Sequence, residues 1–159
     1  MKRKTTRHSR ALVLMVAWMA LFGAICAAPA SAADDTSAIR ALIGKTWDTP
    51  DAKVVTDPVV VDGEHALASW THGERGGRAL LHKRQHGWAV VLCSGAPLKT
   101  AAVLMEAGVP KASAEKIAAD LAAAEAQTDP RRVKLFATFE GVMHLDGADD
   151  GHHQHESLH

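Results

Sequence analysis

Histidine offers the most chemistry in this sequence: ten occur in 159 residues, and they are unevenly spread. His152, His153, His155 and His159 fall in the last fourteen residues with Asp146, Asp149, Asp150 and Glu156, and His144 follows Met143 just upstream. Neutral imidazoles and carboxylates on a segment with almost nothing to bury can wrap a divalent transition ion, and the affinity of such ligands peaks at Cu(II). Their spacing defines no rigid site, and the same composition also reads as a plain solvated tail. Cys93 is the second candidate. It ends the apolar run Trp88 to Cys93, where a small buried side chain is the ordinary use of a free cysteine. Its alternative use is as a soft ligand for Cu(I), with His72, His82 or a methionine alongside. Strand parity puts Cys93 on a face with Ala89 and Val91.

Other chemistry finds little support. Gly73-Glu-Arg-Gly-Gly-Arg78 has the glycines of a phosphate loop but not the G-x-x-x-x-G-K-S/T pattern, and strands flank it on both sides. It reads as a mobile hairpin loop whose Arg75 and Arg78 could form a rim for a partner. Scattered Ser, His and Glu offer no nucleophile with a base and no paired acid and base, so no catalytic residue is expected.

The elements that would position these groups begin after a leader. Lys2, Arg3, Lys4, Arg7 and Arg10 precede the apolar run Ala11 to Ala28, and Ala30-Ser-Ala32 supplies a small-residue cleavage pattern. Residues 1–32 are expected to be a secretory signal peptide, directing the chain to the periplasm with no membrane attachment after cleavage. The remaining 127 residues carry thirteen Lys and Arg against eighteen Asp and Glu, a net charge of −5 with His neutral. That argues against nucleic acid or an anionic membrane as partner. Of the two cysteines only Cys93 survives, so no internal disulfide can form.

Helical spacing of Ile39, Leu42 and Ile43 predicts a short helix from about Ser37, capped by Thr36 or Ser37 and stopped at Gly44. Lys53 to Val61 reads as a strand with an edge position or bulge at Pro58. Asp62-Gly63 predicts a hairpin into His65 to Thr71, which alternates Ala66, Ala68 and Trp70 against Leu67, Ser69 and Thr71. Arg78 to Arg84 and Trp88 to Cys93 complete a four-stranded antiparallel meander. About three helices are expected next: one with Leu98, Ala101, Ala102 and Met105 inward, one capped by Ser113 with Ile117, Leu121 and Ala124 inward, and one opened by Asp129-Pro130. The expected class is α+β, with a single domain over residues 33–141 and a flexible His- and Asp-rich tail over 142–159.

Trp47-Asp-Thr-Pro-Asp51, Val59-Val-Val-Asp-Gly63, Ala68-Ser-Trp-Thr-His-Gly-Glu-Arg-Gly-Gly-Arg-Ala-Leu-Leu81 and Trp88-Ala-Val-Val-Leu-Cys-Ser-Gly95 together resemble the small exported bacterial proteins called copper uptake system-associated proteins. The resemblance runs from about Ile39 to Gly141. It implies a non-enzymatic role in copper acquisition, beside an outer-membrane receptor and periplasmic copper chaperones, with a copper ion as ligand. It carries no catalytic residues onto this chain. Two other readings of the residues remain open: a small-ligand protein with a cone-like pocket between the first helix and the sheet, and a protein–protein interaction module without direct metal binding.

Overall fold

The computed structural model describes residues 30–145. Helix α1 (Ala30–Trp47) leads into strands β1 (Val55–Asp62), β2 (His65–His72), β3 (Arg75–Arg84) and β4 (Gly87–Ser94). A 3-10 turn (Ala96–Lys99), helices α2 (Ala101–Glu106), α3 (Lys111–Ala126) and α4 (Pro130–Leu135), and a short strand β5 (Val142–His144) follow. The class is α+β, as expected. All five strands form one antiparallel sheet in the order β1-β2-β3-β4-β5.

Alternation along the strands divides the sheet into two unlike faces. Leu67, Leu80 and Leu92 pack against Leu98, Leu104, Ile117 and Leu121, so α2 and α3 cover the leucine face. Ala66, Ala68 and Ala79 fall on the other face, where α1 lies across them through Ile39 and Ile43. Small residues let a helix approach the sheet closely but fill little volume themselves. The expected alternation in β2 and β3 holds in both clusters.

Several boundaries differ from the sequence reading. α1 starts at Ala30, inside the expected leader, and runs through Gly44 to Trp47, because Ile43 and Trp47, four residues apart, both bury toward the sheet. Neither Thr36 nor Ser37 caps it, since both lie within the helix. The pairing of edge strand β1 slips between Thr56 and Val59, where Pro58 predicts a bulge. The turn between β2 and β3 is shorter than five glycine-rich residues, since His72 already pairs with Arg75. Only Gly73, with φ of 63°, needs the left-handed region there. Gly77 instead sits inside β3, where a Cβ would lie 2.9 Å from Cβ of Phe139 and 3.0 Å from the Trp70 ring. In α2 the inward residue is Leu104, and Met105 is exposed. Ser113 does not cap α3; its hydroxyl donates to Asp62 Oδ2 at 2.7 Å. Asp129 does cap α4, accepting from the Arg131 N–H at 2.8 Å.

A fifth strand corrects the expected end of the domain at 141. Val142–His144 pair with β4, and the Leu145 N–H donates to the Val91 carbonyl at 2.8 Å. Asp146 to His159, with His152, His153, His155 and His159, lie outside the described residues, as does most of the expected leader. Among the described residues no helix is long and apolar enough to cross a membrane.

Arg78, expected at a mobile rim, is 3% exposed and joins the sheet to the C-terminal helices. Its Nε and Nη2 donate to the two carboxylate oxygens of Glu125 on α3, each at 2.8 Å, and Ser69 Oγ donates to the same carboxylate at 3.0 Å. Nη1 donates to the carbonyls of Gly95 and Phe136. Arg78→Leu strands a nearly buried carboxylate and two carbonyls, so a loss of about 3–5 kcal/mol is expected in urea unfolding. The Arg78→Leu/Glu125→Leu pair should recover part of that loss, and a double variant no more stable than Arg78→Leu would contradict this account.

His65 and His82 stand opposite each other on β2 and β3 with rings stacked 4.8 Å apart. Burial first, and then the charge of His82, lower the pKa of His65 against the opposing pull of Glu64 and Asp62. The unfolded chain therefore binds the proton more readily, and this pair should cost stability as pH falls from about 6.5 toward the lowered native value. Urea midpoints between pH 7 and 5 should fall less steeply for His82→Gln than for the parent; equal slopes would remove the pair from the pH response.

Candidate functional site

The unlike faces leave a cavity of about 430 Å³ on the alanine side. Ile43 and Trp47 of α1 roof it, Trp70 and Cys93 of the sheet floor it, and Phe139 and Met143 close it from the C-terminal segment. Val54, His72 and Arg75 complete its lining at the end nearer the β2–β3 turn. Trp70 and Phe139 meet edge to face, with centroids 5.9 Å apart at 77°. Phe139 reaches this position because Gly77 beneath it has no side chain, and because Gly95 lets the Phe139 carbonyl approach.

Cys93 reaches the cavity through a bulge. Leu80 pairs with Leu92 but Leu81 pairs with Val90, so Val91 is an extra residue in β4. Before the bulge Trp88 and Val90 face α1; after it Leu92 faces α3 and Cys93 faces α1. Cys93 therefore shares its face with Trp88 and Val90, and Val91 packs on the leucine side, contrary to simple parity. Cys93 is 4% exposed, and burial pushes its thiol pKa up to about 11.

The expected ligands separate into three groups. Met143 is directly opposite Cys93 on β5, and both side chains line the cavity. Opposed cross-strand residues have Cβ atoms about 5 Å apart, close enough for two sulfurs to share one soft ion. His72 lines the same cavity, but its strand is two away from β4 and it stands four residues beyond Ala68, which aligns with Cys93 through Ala79. In a flat sheet that is roughly 13 Å along the strands and roughly 10 Å across them, too far for one coordination sphere. His82 and His144 face the other side, the former stacked on His65 and the latter exposed opposite Leu92. Met105, on α2, is also on the leucine side. Among the described residues no three His, Cys, Asp or Glu side chains gather to hold a metal ion.

Two features of the His72 end are not signalled by the sequence. Nε2 of His72 is shielded from solvent and has no hydrogen-bond partner. Arg75, exposed beside it, makes no ion pair with any described residue. Nearby Asp48 accepts from the Val54 N–H at 2.8 Å and pairs with Lys53 at 3.3 Å. The Val54 bond chiefly, helped by Lys53 and His72, lowers its carboxyl pKa.

No family model, curated protein or solved structure matches this chain.

Because Cys93 is buried with a raised pKa, it should resist alkylation at pH 8 in the native protein and react on unfolding. Cys93→Ser should destabilise by roughly 1–3 kcal/mol, through a buried hydroxyl without a good partner. The unfolded thiol, near 9, ionises before the native one, near 11, so this group's contribution is intact below pH 9 and declines between about 9 and 11. Cys93→Ala should flatten that part of the pH profile. Fast native labelling at pH 8 would show that the thiol is open to solvent.

Proposed function

We propose that the protein is an exported, non-enzymatic accessory of copper acquisition that holds Cu(I) between Cys93 and Met143, with the His-rich tail as a separate Cu(II)-capturing segment. The observation that carries this reading is the pairing of a thiol and a thioether directly opposite each other on β4 and β5, both lining one cavity. Two sulfur donors suit a soft monovalent ion, and the apolar walls limit competition from water. The resemblance to copper uptake system-associated proteins points to the same cargo. Chaperones or an outer-membrane receptor are the partners it implies.

A small organic ligand is the second reading, favoured by the size of the cavity and its largely aromatic and aliphatic wall. The two occupants need not exclude each other, since the sulfur pair and His72 lie at opposite ends.

Cu(I) titration against a chromophoric competitor tests the first reading. Cys93→Ala should abolish tight Cu(I) binding and Met143→Leu weaken it. Affinity should rise with pH up to about 11, because the ion displaces the thiol proton, and each ion bound should release about one proton. Deleting Asp146 to His159 should leave Cu(I) binding unchanged while removing Cu(II) binding, which in the intact chain should weaken below about pH 6. Tight Cu(I) binding that survives Cys93→Ala would place the ion elsewhere.

A further inference from the structure

Three properties of the cavity's turn-side end point to one chemical class of occupant. The first is the unpartnered Nε2 of His72, shielded from solvent. A buried polar nitrogen without a partner carries a free-energy cost, and a bound polar group relieves it. The second is Arg75, whose guanidinium borders the cavity without an ion pair among the described residues. Of the nearby carboxylates, Asp48 is already held by Val54 and Lys53, Glu74 lies in the exposed turn, and neither lines the cavity. The third is the wall beyond these groups: Trp47, Trp70, Phe139, Ile43 and Val54 extend an apolar and aromatic surface toward Cys93. A lone ion would leave most of that volume and surface unused.

We propose that the cavity binds an apolar organic anion, with its carboxylate or sulfonate between His72 and Arg75 and its apolar body along Trp47, Trp70 and Phe139. The proposal deepens the small-ligand reading and rests on it. His72 donates one hydrogen bond through Nε2–H, and Arg75 supplies a charge-assisted contact at the mouth. Stacking and burial of the body provide most of the affinity, while the two polar groups fix which end enters last. A volume of about 430 Å³ suits an occupant of one or two aromatic rings or a short acyl chain.

The test uses 1-anilinonaphthalene-8-sulfonate and its uncharged counterpart N-phenyl-1-naphthylamine, titrated into the purified full-length exported protein. Tryptophan emission reports occupancy, because Trp47 and Trp70 form the wall. The anion should bind with 1:1 stoichiometry and quench that emission. Arg75→Gln should weaken the anion about tenfold, the equivalent of one charge-assisted contact, and change the neutral counterpart less than about twofold. His72→Ala should act in the same direction. Trp70→Ala should weaken both dyes, separating the wall from the charged end. Loss of both dyes equally in Arg75→Gln, or no effect on either, overturns the proposal, as does anion binding at several sites. Urea midpoints and Cu(I) titration on the same variants separate the outcomes: anion binding lost from a folded Arg75→Gln variant that still binds Cu(I) supports the two-ended cavity. Absence of dye binding in a parent protein that binds Cu(I) rejects the anion while sparing the copper reading.

Discussion

A single guanidinium holds the two halves of the chain together. The sheet and α1 come from the first half of the described residues, and the helices that cover the other face come from the second half. Arg78 joins them with four hydrogen bonds, two to Glu125 on α3 and one each to the carbonyls of Gly95 and Phe136. Phe136 in turn lies against both Arg78 and Arg132, with cation-to-ring distances of 5.6 and 5.4 Å. A buried charge is costly unless every donor is met, so this arrangement is stable in few geometries other than the native one. It fixes where the chain leaves α4, and hence where Phe139 and β5 arrive on the opposite face of the sheet.

The cavity exists because the two faces of the same strands are filled differently. On β2 and β3, Leu67 and Leu80 point toward α2 and α3, whereas Ala66, Ala68 and Ala79 point toward α1. Leucines meeting Leu98, Leu104 and Leu121 close one side to ordinary interior density. The alanines give α1 a close seat over the centre of the sheet but leave open volume toward the strand ends where Trp70 and His72 stand. Trp47 and Phe139 approach that volume from opposite directions without filling it.

Much of the scaffold was legible because it depends on local periodicity. The hairpin after Asp62-Gly63, the alternation in β2, the helix opened by Asp129-Pro130 and the α+β class all follow from short-range signals. Misreadings arose where tertiary packing overrides a local rule. Gly44 looks like a helix stop but is carried through by the burial of Ile43 and Trp47. Gly76 and Gly77 look like loop residues, yet the first approaches the Trp70 carbonyl and the second lies beneath Phe139. Met143 and His144 look like the start of a polar tail, and pairing to the edge of β4 makes them a strand. The Val91 bulge, invisible to a parity argument, reverses which neighbours Cys93 keeps.

That bulge also decides what chemistry the site can hold. A β4 strand in perfect register up to Leu81 and Val90 would put Cys93 on the leucine face, buried against α2 and α3 and away from any cavity. One additional residue at Val91 turns Leu92 into the well-packed leucine core and Cys93 toward α1 in a single step. The same shift leaves the Val91 carbonyl to accept from Leu145, which helps hold β5 at the sheet edge and so places Met143 opposite the thiol. Thiol and thioether thus become neighbours through one irregularity, while His72 and Arg75 are set at the far end by the regular pairing of β2 with β3. Deletion of Val91 should therefore do more than shorten a strand: it would exchange the faces of Leu92 and Cys93, cost a core leucine, and separate the two sulfurs, while leaving the His72–Arg75 end of the sheet in its present register.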